Sequence, residues 1–409
     1  MKITGNVLVG QSGGPTAVIN SSLAGVYCGA KRLGANKVYA MHYGIEGILS
    51  DKFFDLDTVL KSDTDVELLK RTPSSYLGSC RFKLPEPKAG NEIYTKLFDF
   101  FTKHDITCVF YIGGNDSMDT VKKLYDYAQI IGSDVRFVGV PKTIDNDLEI
   151  TDHTPGYASA AKFIATVTKE LVQDSLVYDL ESVTVVEIMG RDAGWLTAAS
   201  ALSKGSDCEG PAMIFLPEVP FDYEYVKNRV KEIQKERKSI VICLSEGIRT
   251  ADGKYVCELG KTATKDAFGH TMLSAAGLTV SEMLKKDLGI KTRAVELSTV
   301  QRCASHLASL TDVEEAFKAG EEATRAASEG QSGIMVLLKR VSNLPYICVT
   351  DTADVHSIAN LAKPVPKSMI NENGDYVTQE FIDYVTPLVQ GEVSQLTVNG
   401  LPRHIDLKD

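Results

Sequence analysis

The sequence lacks several features that would point to particular protein classes. Its eight cysteines include no C-x-x-C pair, and several lie in apolar stretches such as CVFYI, where a thiol behaves as a small hydrophobic group. This pattern argues against a disulfide framework and favours a reducing compartment. There is also no apolar run of 18 residues and no amino-terminal signal pattern. We therefore expect no membrane insertion and no export, and predict a cytoplasmic location.

Positive charge is also scarce. The chain has 44 Lys and Arg against 54 Asp and Glu, a formal net charge of −10. Nucleic-acid binding needs a basic field, so this composition argues against it, and any anionic ligand must be held by local groups. Hydrophobic residues make up 44% of the chain and charged residues 24%. Both fractions are ordinary for a globular protein. The length of 409 residues exceeds what one hydrophobic core usually serves and favours two domains.

Short segments rich in Val and Ile alternate with helical patterns along the chain. The segments are continuous rather than alternating in polarity, which is typical of strands covered on both faces. They are NVLVG, KVYAMH, CVFYI, RFVGVP, VTVVEI, AMIFL and SIVICLS. The order of strands and helices predicts an α/β fold with parallel sheets flanked by helices. The strands form two groups divided near residues 151–157, which predicts two α/β domains with a cleft between them.

Ligands of open α/β sheets bind beyond the carboxyl ends of the strands, so the loops at those ends carry the functional information. The first such loop, GQSGGPTAVIN, contains Gly13 and Gly14 just before a predicted helix. Free N–H groups at a helix start attract phosphate, although glycine is equally expected there for steric reasons. Neither G-x-G-x-x-G nor the P-loop pattern occurs, so the standard nucleotide-binding motifs are excluded.

Two further loops follow neighbouring predicted strands and are rich in polar groups, Gly113–Ser117 and Pro141–Asp147. Asp116 could cap the following helix and Lys142 could be a solvated loop lysine. Clustering carboxylates, an amide and a lysine in this way is nevertheless costly without a ligand or metal. The set has the parts that phosphoryl transfer needs: backbone donors, a cation, oxygen ligands for Mg²⁺ and a carboxylate to receive a proton.

The second half of the chain contributes loops suited to an anionic sugar. Residues 189–194 (MGRDAG) follow one predicted strand and Glu246 follows another. Arginine binds phosphate through its planar guanidinium fork, and a carboxylate can accept hydrogen bonds from sugar hydroxyls. Arg293 and Arg302 add basic groups downstream. A surface arginine beside a glycine is weak evidence for a binding site by itself. The prediction of an anionic-sugar site therefore depends on all of these groups lying together.

The ordered motifs resemble those of the phosphofructokinase family. They are GGPTAVIN, YLGSCRF, GGNDS, PKTIDND, MGRDAGWLT, the SEG after a strand, and R-x₈-R at Arg293 and Arg302. The resemblance extends from about residue 5 to residue 305. It implies phosphoryl transfer to the 1-hydroxyl of fructose 6-phosphate in a cleft between two Rossmann-like three-layer domains with largely parallel sheets.

The resemblance also implies a division of the chain. Residues 1–156 with about 301–350 would form the phosphoryl-donor domain and residues 157–300 the fructose 6-phosphate domain, with residues 351–409 packing across the latter. The protein would be a homo-oligomer, either a dimer or a tetramer, and Arg293 would be lent by a neighbouring subunit.

Roles implied by the resemblance are carried over residue by residue. Asp145, the first aspartate of TIDND, would be the general base, within a catalytic set of Asp145, Asp116, Lys142 and Asp147. Fructose 6-phosphate would be bound by Thr143, Ile144, Asp145, Met189, Gly190, Arg191, Glu246, Arg293 and Arg302. Pyrophosphate would be bound by Gly13, Gly14, Arg81, Gly114 and Lys142. Mg²⁺ would be held by Asn115 and Asp116, although the family's usual aspartate is replaced by Asn115.

Two positions bear on the phosphoryl donor. Members of the family that use ATP resemble GGDGS and PGTIDND, and the glycines of those motifs correspond to Asp116 and Lys142 here. Bulk and charge in place of glycine imply that the adenosine part is excluded and that the donor is inorganic pyrophosphate. The alternatives are an ATP-dependent phosphofructokinase and a non-catalytic sugar-phosphate sensor, and the presence of Asp145 counts against the sensor because a sensor needs no base.

Overall fold

A computed structural model describes residues 2–260 and 275–406 of the chain. Its strands, in chain order, are β1 Asn6–Gln11, β2 Val38–Met41, β3 Phe53–Asp55, β4 Ile106–Gly113, β5 Arg136–Pro141, β6 Ser182–Ile188, β7 Met213–Phe215, β8 Ser239–Ser245, β9 Lys291–Glu296, β10 Ile334–Asn343, β11 Tyr346–Asp354, β12 Thr397–Val398 and β13 Leu401–Pro402. All seven strands predicted from the sequence lie among them.

The α-helices in the described ranges separate most of these strands. They are α1 Ile19–Arg32, α2 Gly44–Leu49, α3 Asp63–Arg71, α4 Glu92–Lys103, α5 Asn115–Ile131, α6 Tyr157–Ser175, α7 Trp195–Ala199, α8 Tyr223–Gln234, α9 Ala276–Leu288, α10 Val300–Cys303, α11 Leu310–Ser328 and α12 Gln379–Val385. None of these helices combines the length and the apolar character needed to span a lipid bilayer.

The strands form two main sheets. The seven-stranded sheet has the order β11-β10-β5-β4-β1-β2-β3 and the four-stranded sheet the order β7-β8-β6-β9. Strands β10, β5, β4, β1 and β2 are parallel, with antiparallel β11 and β3 at the edges. Every pair in the smaller sheet is parallel. The predicted α/β class with largely parallel sheets is therefore confirmed. The residue ranges of the two domains stay a prediction.

The central strands are apolar throughout because helices cover both faces of the larger sheet. Val7 and Val9 of β1 face the core that contains α1 and α11, whereas Leu8 faces the core that contains α4 and α5. Alternate side chains thus enter different cores, which removes the polar-apolar alternation of a half-exposed strand. β10 begins with such an apolar run, residues 334–338, but residues 339–343 are exposed or half-buried, and β11 alternates between exposed and half-buried residues along most of its length. The sequence analysis missed both strands.

The chain after β11 packs onto the other half of the molecule. Phe381 and Val385 of α12, with Leu388, belong to the same core as Trp195 and as Ile188 of the smaller sheet. The chain from β10 onward, residues 334–406, is called the carboxyl-terminal segment below. It joins the two sheets, since β10 and β11 belong to the larger one.

Helices α1 and α11 approach each other closely at glycines, and α1 follows the Gly13–Gly14 loop. A Cβ added to Gly25 would lie 2.1 Å from the carbonyl oxygen of Phe317, and one added to Gly320 would lie 2.2 Å from that of Ser22. Separations this short leave no space for a methyl group, so the two backbones pack directly against each other.

We expect Gly25→Ala to destabilise the protein. In an uncrowded helix this change would stabilise by about 1 kcal/mol through helix propensity, but overpacking against backbone costs about 1–3 kcal/mol or more. A Cβ 2.1 Å from a backbone oxygen cannot be relieved by a side-chain rotation, so we expect the upper end of this cost and a net fall of about 2 kcal/mol in the free energy of unfolding in urea. Gly205→Ala is the control because its Cβ would meet Asp207 at an ordinary 3.4 Å. An equal or higher stability of Gly25→Ala would contradict the close packing.

Candidate active site

The carboxyl ends of β1, β4 and β5 lie side by side at one edge of the larger sheet. Gln11 pairs with Ile112, and Gly113 pairs with Pro141. β1 lies between β2 and β4, so the helices that follow β1 and β4 lead to opposite sides of the sheet. A crevice at such a reversal of strand order is the usual ligand site of an open α/β sheet. The three polar loops identified from the sequence all begin at this edge.

Lys142 lies against the Gly13–Gly14 loop. Its Nζ donates a hydrogen bond to the carbonyl oxygen of Gly14 at 2.6 Å. A Cβ on Gly13, whose φ is +76°, would lie 3.4 Å from that Nζ, and a Cβ on Gly14 would lie 3.1 Å from Nη1 of Arg302. The two glycines therefore let two cationic side chains approach the loop backbone.

The ammonium group of Lys142 is removed from water. The residue is only 3% exposed, and burial lowers its pKa to about 8, with Arg302 and Arg81 acting in the same direction and Asp145 and Asp147 opposing them. Lys142 thus remains mostly charged near neutral pH but is weakly solvated. A cation in this state interacts strongly with an anion that enters the site.

Asp145 is held by a neighbouring hydroxyl at the start of the third loop. The Thr143 hydroxyl donates to Oδ2 of Asp145 at 3.2 Å and accepts a hydrogen bond from the Asp145 backbone N–H at 3.1 Å. Burial raises the pKa of the Asp145 carboxyl, and the Thr143 bond, Lys142 and Arg302 oppose that rise. A carboxylate whose basicity is increased by burial is suited to accept a proton.

Asn115 and Asp147 form a second polar pair in the crevice. Asn115 Nδ2 donates to Oδ2 of Asp147 at a long 3.4 Å, while Asn115 Oδ1 is buried without a hydrogen-bond partner among the described residues. Burial raises the pKa of Asp147 to about 7, and the charge of Asp145 adds to the effect. An unpartnered amide oxygen beside two carboxylates is a donor set that fits a hard divalent cation such as Mg²⁺.

Asp116 does not face this pair. Its side chain is 77% exposed and forms an ion pair with Lys83 Nζ at 3.4 Å. Gly114 immediately precedes α5 and lies closer to the Pro141–Asp147 loop. A Cβ on Gly114 would be 3.5 Å from the carbonyl oxygen of Lys142. The structure thus places Asp116 on the solvent side of the α5 start, whereas Asn115 points inward.

The loops after β6 and β8 meet at the corresponding edge of the smaller sheet, where Ile188 pairs with Ser245. Gly190 has a φ of +146°, and its N–H donates to Oε1 of Glu246 at 3.4 Å. Burial raises the pKa of Glu246 to about 7, and the charge of Asp145 contributes to the rise. Glu246 is thus near enough to Asp145 to affect it, and Arg302, which follows β9 of the smaller sheet, lies beside Gly14 of the larger one, so the edges of the two sheets face a common site.

The arginines predicted for this site differ in their placement. Arg302 acts electrostatically on both Lys142 and Asp145 and therefore belongs to the crevice. Arg191 is exposed. Arg293 lies on β9 opposite Thr184, near the amino end of the sheet, and its Nη1 is 3.3 Å from Asp174. Within one chain, Arg293 is not brought together with Arg302.

Two residues on the sugar side, Met189 and Ile144, are held in different ways. The Met189 N–H donates to Oε1 of Gln301 at 3.2 Å. Ile144 is only 7% exposed and belongs to the core that also contains Tyr157, so its side chain anchors the loop and only its backbone is available to a ligand.

Four residues near the site were missed by the sequence analysis. Lys83 follows Arg81 by two positions, and this spacing of two cations was an available signal. Gln301, Lys363 and Tyr384 gave none, because each acts on a loop that is distant in sequence. Lys363 donates its backbone N–H to the Asp147 carbonyl oxygen at 2.8 Å, and the Tyr384 hydroxyl accepts from Asn146 at 2.9 Å.

Comparisons with known proteins agree with this geometry. Residues 6–327 match the family model described as Phosphofructokinase. The chain is 40% identical to the pyrophosphate--fructose 6-phosphate 1-phosphotransferase of Halomonas elongata, covering 97% of this chain and 95% of that protein. It is 37% identical to the protein of the same name from Xanthomonas campestris, covering 99% and 96%.

A solved structure also matches along nearly the whole length. The crystal structure of pyrophosphate-dependent phosphofructokinase from Nitrosospira multiformis superimposes with a TM-score of 0.89 at 35% identity, covering 98% of this chain and 96% of that one. Similarity of this extent covers both sheets, the loops of the crevice and the carboxyl-terminal segment. The chain therefore belongs to the phosphofructokinase family.

Proposed function

We propose that the protein transfers a phosphoryl group reversibly between inorganic pyrophosphate and the 1-hydroxyl of fructose 6-phosphate, giving fructose 1,6-bisphosphate and phosphate. The observation that carries this function is the meeting of Asp145, Lys142 and Arg302 in one crevice, in a chain whose full-length relatives are named for this activity. The predicted pyrophosphate-dependent phosphotransferase activity is confirmed by these relatives. A cytoplasmic location, as the sequence predicts, is part of the proposal.

Pyrophosphate would lie over the Gly13–Gly14 loop. Lys142 Nζ already contacts this loop, and Arg81 influences Lys142 electrostatically. Lys83, which pairs with the exposed Asp116, adds a further cation at the open side. Cations at fixed positions stabilise the charge that collects on the phosphate leaving group, and the low solvation of Lys142 strengthens this effect.

Fructose 6-phosphate would bind on the side of the smaller sheet. The Glu246 carboxylate, which already accepts a hydrogen bond from the Gly190 N–H, would accept further hydrogen bonds from sugar hydroxyls. Arg191 and Arg302 would bind the 6-phosphate through their guanidinium forks. Arg293, exposed on β9, would complete the phosphate site of a neighbouring subunit in a dimer or tetramer.

In the forward reaction, Asp145 would accept the proton of the 1-hydroxyl. The sugar oxygen then forms a bond to the nearer phosphorus of pyrophosphate, and the bond from that phosphorus to the bridging oxygen breaks. The electron pair leaves with the second phosphate, beside Lys142. In the reverse direction Asp145 returns the proton, so one carboxylate serves both directions.

The phosphofructokinase family generally uses a divalent metal ion, and we propose Mg²⁺ for this chain. Asn115 Oδ1 and the Asp147 carboxylate would hold it, since the first is unpartnered and the second has a raised pKa that a cation would lower. Asp116, which the sequence also suggested as a ligand, pairs with Lys83 instead. When bound, the ion would neutralise negative charge on the pyrophosphate oxygens.

Replacing the base tests the role of Asp145. Asp145→Asn keeps the shape but removes the basicity, and general base catalysis contributes about 10²- to 10⁴-fold. We expect kcat to fall at least about a hundredfold while the affinity for fructose 6-phosphate changes little. Steady-state kinetics with pyrophosphate would measure both. Asp179→Asn, at an exposed carboxylate paired with Lys238, is the matched control. Wild-type turnover in Asp145→Asn would remove it from the role.

The metal requirement tests the Asn115–Asp147 pair. Activity should depend on Mg²⁺, and Asn115→Asp should lower the Mg²⁺ concentration needed for half-maximal activity because it adds a charged ligand. A titration of activity with Mg²⁺ in chelator-treated enzyme would show the shift. Full activity in excess chelator would refute the metal dependence, and an unchanged Mg²⁺ curve in the variant would exclude position 115 as a ligand.

Donor choice tests Lys142 and Asp116 against the ATP-dependent alternative. Lys142→Gly should lower kcat more than it raises the KM for pyrophosphate, because the lysine acts mainly in the transition state. The loss of this charged contact should cost about 3 kcal/mol. Asp116→Gly removes bulk and negative charge, so some ATP-dependent activity should emerge while pyrophosphate use declines.

Both donors should be measured with wild type, the two single variants and the double variant. The double variant should lose most pyrophosphate activity without becoming a good ATP kinase. Since Asp116 is 77% exposed, its replacement should leave the fold intact, and thermal unfolding checks this for Lys142→Gly. A wild-type preference for ATP, or an Asp116→Gly enzyme unchanged with both donors, would refute the pyrophosphate assignment.

A further inference from the structure

The turn between the two aspartates of the site has an unusual backbone. Asn146, between Asp145 and Asp147, has a φ of +54° and is fully buried. Asparagine adopts this left-handed conformation more readily than other non-glycine residues, but it still costs free energy, and a buried residue keeps it where its hydrogen bonds fix it. The contacts of Asn146 therefore show what holds the two carboxylates in place.

Both ends of the Asn146 amide are occupied. Oδ1 accepts a hydrogen bond from the Thr154 N–H at 3.0 Å, and Nδ2 donates to the hydroxyl of Tyr384 at 2.9 Å. The Tyr384 hydroxyl in turn donates to the carbonyl oxygen of Asp152 at 2.8 Å. One hydroxyl from α12 thus bridges the turn and the returning end of the same loop.

Lys363 forms further hydrogen bonds to the same loop. Its backbone N–H donates to the carbonyl oxygen of Asp147 at 2.8 Å, and its Nζ donates to the carbonyl oxygens of Thr151 and Asp152 at 2.9 and 2.8 Å. The ammonium group also lies 5.3 Å from the centroid of the Trp195 ring. A single half-buried lysine therefore closes the loop from residue 147 to residue 152.

Arg340 on β10 binds both Tyr384 and the loop through its guanidinium group. Its Nη2 donates to Oδ2 of Asp152 at 2.9 Å and its Nη1 donates to the Tyr384 carbonyl oxygen at 2.8 Å. The guanidinium carbon lies 4.6 Å from the centroid of the Tyr384 ring. Tyr384 is therefore fixed through its backbone, its ring and its hydroxyl.

His153 anchors the end of the loop in the core. Its Nδ1 is 2.7 Å from Oδ2 of Asp152 and its Nε2 is 2.7 Å from Oε2 of Glu315, and the Tyr346 hydroxyl donates to the other oxygen of Glu315 at 2.7 Å. Burial alone would lower the pKa of His153, but the two carboxylates raise it to about 9. The imidazolium and both carboxylates thus form an ion-paired cluster behind the loop.

Arg340, Lys363 and Tyr384 all lie beyond residue 327, where the match to the family model ends. We infer that this carboxyl-terminal segment is part of the catalytic apparatus and that Tyr384, supported by Lys363, is a positioning residue for Asp145 and Asp147. The inference rests on the proposed function, since it assigns to the segment the task of orienting the base. Small misplacements of a catalytic group can cost about 10²-fold in rate. We therefore expect kcat to depend on the Tyr384 hydroxyl, which links the turn to the rest of its loop.

Tyr384→Phe tests the inference because it removes only the bridging hydroxyl and keeps the ring that packs near Trp195 and Phe381. We expect kcat to fall about tenfold or more, with the KM values for both substrates within about twofold of wild type. Tyr376→Phe is the matched control, since Tyr376 lies in the same segment and its buried hydroxyl has no partner among the described residues. Its kinetics should equal those of wild type.

A second comparison separates positioning from a general loss of folded protein. In the Asp145→Asn background, Tyr384→Phe should cause almost no further loss in kcat, because the base that it orients is already gone. A destabilised enzyme would instead lose activity equally in both backgrounds. Unchanged kcat in Tyr384→Phe, or a full additional loss in the double variant, would overturn the inference.

Lys363→Met removes the ammonium hydrogen bonds to Thr151 and Asp152 and keeps the backbone bond to Asp147. It replaces Tyr384→Phe in the same comparisons if the tyrosine variant does not fold. The wild-type assay with pyrophosphate and fructose 6-phosphate tests the proposed function separately. An active wild type with an unaffected tyrosine variant refutes only the positioning role, whereas an inactive wild type refutes the function.

Discussion

The contact between the buried ammonium group of Lys142 and the carbonyl oxygen of Gly14 joins two of the loops that form the site. Gly13 supplies the left-handed backbone of this loop, with a φ of +76°, and the ammonium group has Asp145 and Asp147 nearby, because a buried cation is costly without negative charge around it. The same carboxylates are made more basic by burial. The glycines, the lysine and the aspartates are thus one electrostatic unit rather than separate motifs.

This unit explains how an acidic protein can bind two anionic substrates. The net charge of −10 repels anions at long range, but screening at physiological salt confines such effects to about 8 Å. Lys142 and Arg302 lie within the crevice, and their field is strengthened by exclusion of water. The charges that matter for binding are therefore the few that the two sheets bring to a common edge.

The carboxyl-terminal segment links architecture to chemistry. Its strands β10 and β11 extend the larger sheet, and its helix α12 packs in the core beside the smaller one. Because Arg340, Lys363 and Tyr384 reach the loop between these two halves, the segment holds the turn that carries the aspartates. A buried residue with positive φ such as Asn146 needs this support.

Much of the fold and of the site could be predicted from the sequence because the information is local. Continuous apolar runs report strands covered on both faces, and Gly13, Asn115, Lys142 and Asp145 lie directly after such strands, where parallel topology brings carboxyl ends together. The apolar start of β10, residues 334–338, was an available signal that was overlooked, whereas β11 was missed because it alternates between exposed and half-buried residues and has no buried run. A local sequence pattern does not show whether a half-exposed segment pairs with another strand of a sheet.

The sequence by itself determined the α/β class, the order of the loops and the chemical groups available for phosphoryl transfer. Only the tertiary structure decided that Asn115 faces Asp147 while Asp116 turns outward to Lys83, that Arg293 lies at the far end of its sheet, and that Tyr384 and Lys363 bind the turn between Asp145 and Asp147. The physical reason is that a side chain's direction and its burial depend on elements that are distant in the chain. Adjacent residues such as Asn115 and Asp116 can therefore have opposite environments.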